Sequence, residues 1–478
     1  MSQQMEQPQQ QTPFGDPMGF SGYVMDPLAD LFAFREPSIQ GSTGFDATQT
    51  DGMLMDAPTT SVSSNASDVD DTALQMTVPP ILEPVENGPK WASARALFQR
   101  MAASSTMVRS AVVAFAAIQS QRSQGRASVD YRPLYDRAAT ELSAKLLETD
   151  GKTPAVDEEL VCILTTVFLL AYIDLLTDRT DLAHLNIQKA HNAIQRSKKT
   201  DVGPLERRII SWIRLLDARA ATAGGEGPFV NDNTGLYAPP IQTRASGSTP
   251  QRTSQSTNGN IEEIVYDLLC QPGLAFFQEV QSITGRITKI DHYRRSRGTV
   301  EDETEVMATA AEIMKDLASL YDCRPSIMDH AVAGDLGENV IARHLAQAII
   351  RSYRTYLANF YACYIHIHRV AHRHLPRSKM LIKAIGEIKG LVHRMMANGE
   401  PLPVNILWPL FLWGSEEDDP QECRWIVDTI RSLQHVVTNA ANVANLLQEV
   451  QRRQLERGQR VDIRTVSMEL FNSSFAIV

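Results

Sequence analysis

The 478 residues can hold two or three ordinary domains or one long helical array, and hydrophobic residues at 43% with charged residues at 21% lie near globular averages. Aromatic residues at 7% and the scarcity of alternating apolar runs argue against a β-rich fold. The net charge of −10 is segregated: residues 1–90 hold 13 Asp and Glu against only Arg35 and Lys90, leaving 44 basic and 43 acidic residues elsewhere, so the body is no polycation built for phosphate backbones.

Residues 1–90 mix Gln, Pro, Ser, Thr, Asp and Gly without sustained periodicity. Such a stretch cannot bury enough apolar surface to offset chain entropy, and a disordered tail is expected. Within it Phe14, Phe20, Tyr23, Met25, Leu28, Leu31, Phe32 and Phe34 are interspersed with Asp16, Asp26 and Asp30, and Met53, Leu54, Met55 and Asp56 form a smaller echo. Acidic and hydrophobic alternation is the composition of disordered activation segments, whose charges keep apolar side chains solvated until a partner groove takes them. The alternative is a linker with a short docking strip.

From Trp91 the pattern is helical. Leu134, Tyr135, Ala138, Ala139, Leu142 and Leu146 recur at three- and four-residue spacing and make one apolar stripe. The next helix is expected to start at Thr153-Pro154 and run to about Leu176, with Asp157, Glu158 and Glu159 favouring its positive end. Its uninterrupted apolar stretch, Leu160 to Ile173, falls short of the roughly 20 residues that span a bilayer, so it reads as a buried central helix rather than a membrane segment. Two more helices fit Asp181–Arg196 and Pro204–Ala221, closing the first helical part at 91–223. Residues 224–260, rich in Gly, Pro, Ser, Thr and Asn, read as a long loop or linker dividing the helical body in two. The second part, 261–478, shows helical patterns at Val300–Leu320, Asn339–His374, Ser378–Met396 and Gln421–Gln454. No fixed repeat period appears, so the fold expected is all-α, an irregular multi-helix bundle of antiparallel helices behind a disordered tail.

Chemistry-bearing constellations are sparse. Five cysteines at 162, 270, 323, 363 and 423 form no pair closer than 40 residues, and the Gln-rich start has no secretory leader, which fits a reducing intracellular compartment. His366, His368, His372 and His374 crowd one segment, yet on a helix only His368 and His372 share a face, and two imidazoles do not close a metal site. They are expected on the solvated flanks of a stripe formed by Tyr356, Phe360, Cys363, Ile367 and Val370. Arg286, Lys289, Arg294, Arg295 and Arg297 make a basic patch that could touch phosphate or act as an import signal, but the acids at 301–305 favour a solvated loop. Nucleophile-elbow, phosphate-loop, dinucleotide and zinc-hydrolase motifs are missing, so no catalytic, cofactor or metal residue is assigned and the chain is not read as an enzyme.

Residues 405–430, NILWPLFLWGSEEDDPQECRWIVDTI, join an apolar helix to an acidic-Pro turn and an Arg-bearing helix. In Trp408, Pro409, Phe411, Gly414, Glu416, Pro420 and Arg424 the stretch resembles a signature of the effector domain of the fungus-specific transcription factor family. A weaker likeness lies in 157–195 with His184 and Leu185, though the Trp and Gly that often flank that His in the family are absent. The role expected of the signature residues is packing. The resemblance implies an all-α regulatory domain of a nuclear transcription factor. Members usually carry an amino-terminal binuclear zinc cluster of six cysteines, which five scattered cysteines cannot form, so zinc-dependent DNA reading by this chain is excluded on counting. Either an upstream exon supplies the cluster, or the protein works through a DNA-bound partner. The expected partners are the transcription machinery or that DNA-bound protein, with a small-molecule effector and a homodimer through 421–454 as candidates and no membrane. The rival reading is a helical interaction scaffold outside transcription.

Overall fold

The structure is a computed structural model that describes residues 78–124, 130–148, 157–197, 202–230, 261–293, 299–337, 341–435, 438–473 and 475–478. The aromatic segment from Phe14 to Phe34 and the Thr153-Pro154 cap lie outside them. Among the described residues there are sixteen α-helices and no strand, as the periodicity predicts. A 3₁₀ turn, Pro80–Leu82, leads into α1 (Glu83–Glu86), followed by α2 (Lys90–Ser104), α3 (Thr106–Gln124), α4 (Arg132–Glu148), α5 (Asp157–Leu176), α6 (Thr180–Ser197) and α7 (Pro204–Thr222). After residue 260 come α8 (Ile261–Tyr293), α9 (Val300–Asp322), α10 (Ser326–Ala333), α11 (Arg343–Ala371), α12 (Lys379–Ala397), α13 (Leu407–Gly414), α14 (Pro420–Ser432), α15 (Ala440–Arg457) and α16 (Ile463–Phe471).

Two helices are enclosed. In α5 every residue from Leu160 to Leu176 is buried, and α3, α6 and α7 pack around it. By length and composition α5 could cross a membrane, but here it lies inside the protein. Its one charged interior residue, Asp174, accepts hydrogen bonds from Tyr135 Oη at 3.0 Å and Asn186 Nδ2 at 2.8 Å, and it pairs with Arg179 at 2.9 Å. Burial still pushes its carboxyl up to about 6. In α11 all residues from Ser352 to Ala371 are buried, and α8, α10, α12 and α13 surround them. The stripe of Tyr356, Phe360, Cys363, Ile367 and Val370 is where the sequence put it. The opposite face is buried as well, and with it His366 and His368. The expectation of solvated histidines is therefore corrected for His366 and His368, whose flank neighbouring helices cover, while His372 is half-buried and His374 exposed.

Two boundaries also shift. Residues Val78 to Glu86, assigned to the tail, are packed, with Ile81 and Leu82 fully buried. The Glu86 carboxylate accepts from Trp212 Nε1 at 2.6 Å and from Arg208 Nη2 at 2.6 Å, while Tyr356 Oη donates to the Pro84 carbonyl. Residues 224–230 are not linker either. Asp217 Oδ2 accepts the backbone N–H groups of Phe229 at 2.8 Å and Val230 at 2.9 Å, which fixes the buried Phe229 against the body. The helices before and after residues 231–260 share one hydrophobic core, and α7 packs directly on α8. The body is not divided in two.

α8 crosses α11 closely at Gly273, one residue after an in-helix proline. Tyr353 is fully buried there and donates its hydroxyl to the Leu269 carbonyl at 2.8 Å, next to the point where Pro272 interrupts the helical donor series. A methyl on Gly273 would run into the Tyr353 ring. In an open helix Gly→Ala gains about 1 kcal/mol, but an overpacked ring that cannot retreat costs about 1–3 kcal/mol. Chemical denaturation of Gly273→Ala is thus expected to show a net loss of stability, and a gain would mean that the crossing is looser than described.

Candidate functional site

The residues of the 405–430 signature converge on the corner where α11 ends against α13, α14 and α15. Trp408 and Phe411, both buried, stack at 6.2 Å between ring centroids, and His366 meets Trp408 edge-on at 5.2 Å. Pro409 lies in the first turn of α13, where its missing N–H leaves nothing unpaired. Gly414 ends α13 where α14 and α15 come closest: a Cβ there would lie 2.7 Å from Leu447 Cδ2 and 3.0 Å from Ile426 Cγ2. Asp419 caps α14 by accepting from the Gln421 N–H at 2.9 Å, with Pro420 as the first helical residue. Packing and capping account for five of the seven signature residues, Trp408, Pro409, Phe411, Gly414 and Pro420.

Glu416 differs from them. Its carboxylate is buried and surrounded by three arginines. Arg369 Nη1 donates to Oε1, Arg460 donates from Nε at 2.9 Å to Oε1 and from Nη2 at 2.9 Å to Oε2, and Arg377 Nε reaches Oε2 at 3.4 Å. Arg369, itself buried, spends its remaining donors on the Ser415 carbonyl at 2.9 Å, Gln454 Oε1 at 3.0 Å and the Val461 carbonyl at 3.0 Å. Burial alone would push the Glu416 carboxyl up, but the Arg369 and Arg460 guanidiniums outweigh it and hold the pKa below the ordinary 4.5. One carboxylate thus ties the end of α11, the α13–α14 turn and the residues after α15 together.

This hub separates two spaces. Inward is a cavity of about 100 Å³, lined by His366, Arg369, Trp408, Phe411, Ile463 and Phe475. Outward is a cleft of about 1030 Å³ between the end of α11, the start of α14 and the end of α15. Arg369, Val461 and Asp462 wall both. Arg424, the remaining signature residue, is exposed and lines the cleft, so packing does not explain it.

Of the basic patch read from the sequence, Arg286 pairs with Asp316 at 2.6 Å, Lys289 is exposed, and Arg294, Arg295 and Arg297 lie outside the described residues. The stretch 421–454 is two helices, α14 and α15, that pack on each other. Their apolar faces, Ile426 and Ile430 on one and Val443, Leu447 and Val450 on the other, are buried in the body. No group of three or more His, Cys, Asp or Glu side chains gathers at metal-binding distance among the described residues. Sequence reasoning missed Arg369, Arg377 and Arg460, which stand 39 to 47 residues from Glu416 along the chain. No local pattern joins them.

The family model described as fungal specific transcription factor domain matches residues 78–472, which is most of the chain and nearly all of its packed part. The chain belongs to that family. The match begins at the residue where the described body begins and runs through its last helix, so the body through α16 is the family domain, a domain of transcription factors. No curated protein and no solved structure matches the chain.

The hub makes a sharp prediction. Glu416→Gln leaves the buried Arg369 without a counter-charge, and removing one member of a buried pair costs about 3–5 kcal/mol. Because the folded pKa of Glu416 is depressed, the pair's contribution is complete above the unfolded value of 4.5 and is lost as pH falls through the folded value. Denaturant titrations of the wild-type chain should therefore show a stability loss on acidification that is smaller in Glu416→Gln. Equal pH slopes in the two proteins would contradict the assignment.

Proposed function

We propose that the protein is a nuclear regulator of transcription in which the helical body receives a signal and controls how the acidic, aromatic residues 14–34 are presented to the transcription machinery. The observation that carries this reading is the family match over residues 78–472. Charge segregation supports it: all of the net charge of −10 resides in residues 1–77, where eleven acids face only Arg35. Five cysteines without cluster spacing cannot hold a binuclear zinc cluster, so DNA is reached either through a DNA-bound partner protein or through a cluster encoded by an upstream exon. The cavity behind Trp408 has room for a molecule of a few heavy atoms and offers a small effector aromatic walls with a guanidinium at one end. No bond-making step is assigned to the protein.

Tethering the full chain to an unrelated DNA-binding module tests the proposal. Reporter output is expected to rise or fall severalfold relative to the module alone, and an unchanged output would contradict it. A tagged chain is expected to enter the nucleus under at least one growth condition. Exclusion under all conditions favours a helical scaffold outside transcription.

A further inference from the structure

Packing leaves one feature of the inner cavity unexplained. Three tryptophans are buried in the body: Trp212, Trp413 and Trp408, the last 9% exposed. Trp212 Nε1 donates to Glu86 at 2.6 Å and Trp413 Nε1 to Glu417 at 2.9 Å, as expected of a donor carried out of water. The indole N–H of Trp408 is buried as well, yet it has no acceptor among the described residues. Its ring borders the cavity of about 100 Å³, with His366 edge-on and Phe411 stacked against it. A phenylalanine would fill the same place without stranding a donor, so packing alone does not account for a tryptophan here.

The rest of the wall limits what could meet that donor. Arg369 is neutralised by Glu416, the Thr222 hydroxyl donates to the Arg219 carbonyl at 2.7 Å, Ser467 donates to the Ser473 carbonyl at 3.4 Å, and Asp462 accepts from the Thr465 N–H at 2.7 Å. Charge favours neither sign, because Arg369 and Arg464 on the wall are balanced by Asp291 and Asp462. Between them the surface is apolar, with Val370, Leu446, Ile463 and Phe475, and an ion entering it would bring a charge that no wall group is left to compensate. Size sets a further bound. A cavity of about 150 Å³ takes benzene, so this one suits about four or five non-hydrogen atoms. A water molecule would also supply an acceptor, but holding it takes two to four polar partners, and most of those on the wall already have theirs.

We propose that the inner cavity binds a small uncharged ketone or carboxamide, whose carbonyl oxygen accepts from Trp408 Nε1–H and whose apolar part lies against Phe411, Ile463 and Phe475. Such an occupant touches the end of α11, α13 and the chain after α15 together, so binding stabilises this corner of the body. The inference deepens the regulatory reading above by naming the ligand class of that cavity, and it rests on that reading only for a consequence in transcription.

Three probes of one shape test it: acetone, acetate as its charged isostere, and isobutene, which lacks the acceptor. The full-length chain, labelled with nitrogen-15 at its five tryptophans, is followed through its indole N–H resonances, and the Trp408 resonance is the one lost in Trp408→Phe. Acetone is expected to move that resonance saturably, with a dissociation constant on the order of a millimolar for so small a ligand, and to leave those of Trp212 and Trp413 in place. Acetate and isobutene are each expected to bind about tenfold more weakly, the first for its uncompensated charge and the second for its missing hydrogen bond. In Trp408→Phe, with affinities read from the dependence of the denaturation midpoint on probe concentration, acetone is expected to lose about tenfold and isobutene to bind no worse than before. A Trp408 resonance that drifts linearly with all three probes would mean a cavity holding water only and would overturn the proposal. So would acetate binding as tightly as acetone, which would make this an anion site, or undiminished acetone binding in Trp408→Phe. A tethered reporter that stays unchanged while acetone saturates the Trp408 resonance would refute the regulatory reading and leave the binding site intact. A reporter that responds while the resonance never saturates would overturn the site and leave the regulatory reading.

Discussion

The fold depends on enclosing α11. Twenty consecutive residues of one helix, Ser352 to Ala371, are shut away from solvent, which requires neighbours on every side and partners for the charged and amide groups carried inside. Arg354 finds Glu400 at 2.7 Å, Asn359 donates to the carbonyls of Thr355 at 2.9 Å and Asn405 at 3.1 Å, and Arg369 finds Glu416. Each apolar side chain so buried contributes about 1.5–3 kcal/mol, and each buried polar group left unpaired would take back about 1–3 kcal/mol. Glu400, Asn405 and Glu416 all lie after α12, and α8 adds the Leu269 carbonyl that accepts from Tyr353, so α11 draws its polar partners from both sides of the chain. The start of the body obeys the same demand, since the residues around Pro84 pack beside α11 and accept a hydrogen bond from Tyr356.

That constraint explains what could be read in advance and what could not. Helices announce themselves through local periodicity, so α4, α5, α7 and α9 lie close to where three- and four-residue spacing put them. Burial of the second face of α11 is not local: YIHIHRV looks amphipathic until α13 and α15 are laid against it. The same holds for Glu416, which in the sequence is one acid among several in SEEDD, and whose arginines lie in distant segments. Residues 78–86 resemble the tail in composition through their Pro and Glu, while their anchoring by Arg208 and Trp212 comes from α7. Residues 224–230 follow the same rule. Their Gly and Pro content says loop, and the Asp217 carboxylate that pins them is invisible to composition.

The functional consequences follow from the same economy of contacts. A core this fully occupied leaves chemistry to its edges, and the edge where the family signature gathers is built from packing residues around a single charged knot. Trp408, Phe411 and Gly414 set how closely α13, α14 and α15 approach. Glu416 then locks that approach to the end of α11, and the small cavity and the large cleft lie on either side of the lock. An occupant of either space would touch Arg369, the hub arginine that walls both.

The claim on which all of this rests is that the helices on both sides of residues 231–260 form one cooperative core. Native-state hydrogen exchange measures it directly. The slowest amides of α5, between Leu164 and Ile173, and of α11, between Tyr356 and Val370, should exchange with the same opening free energy and respond equally to low denaturant. If α5 opens at a distinctly lower free energy while α11 remains protected, the two parts are separate folding units and the single-core account is wrong.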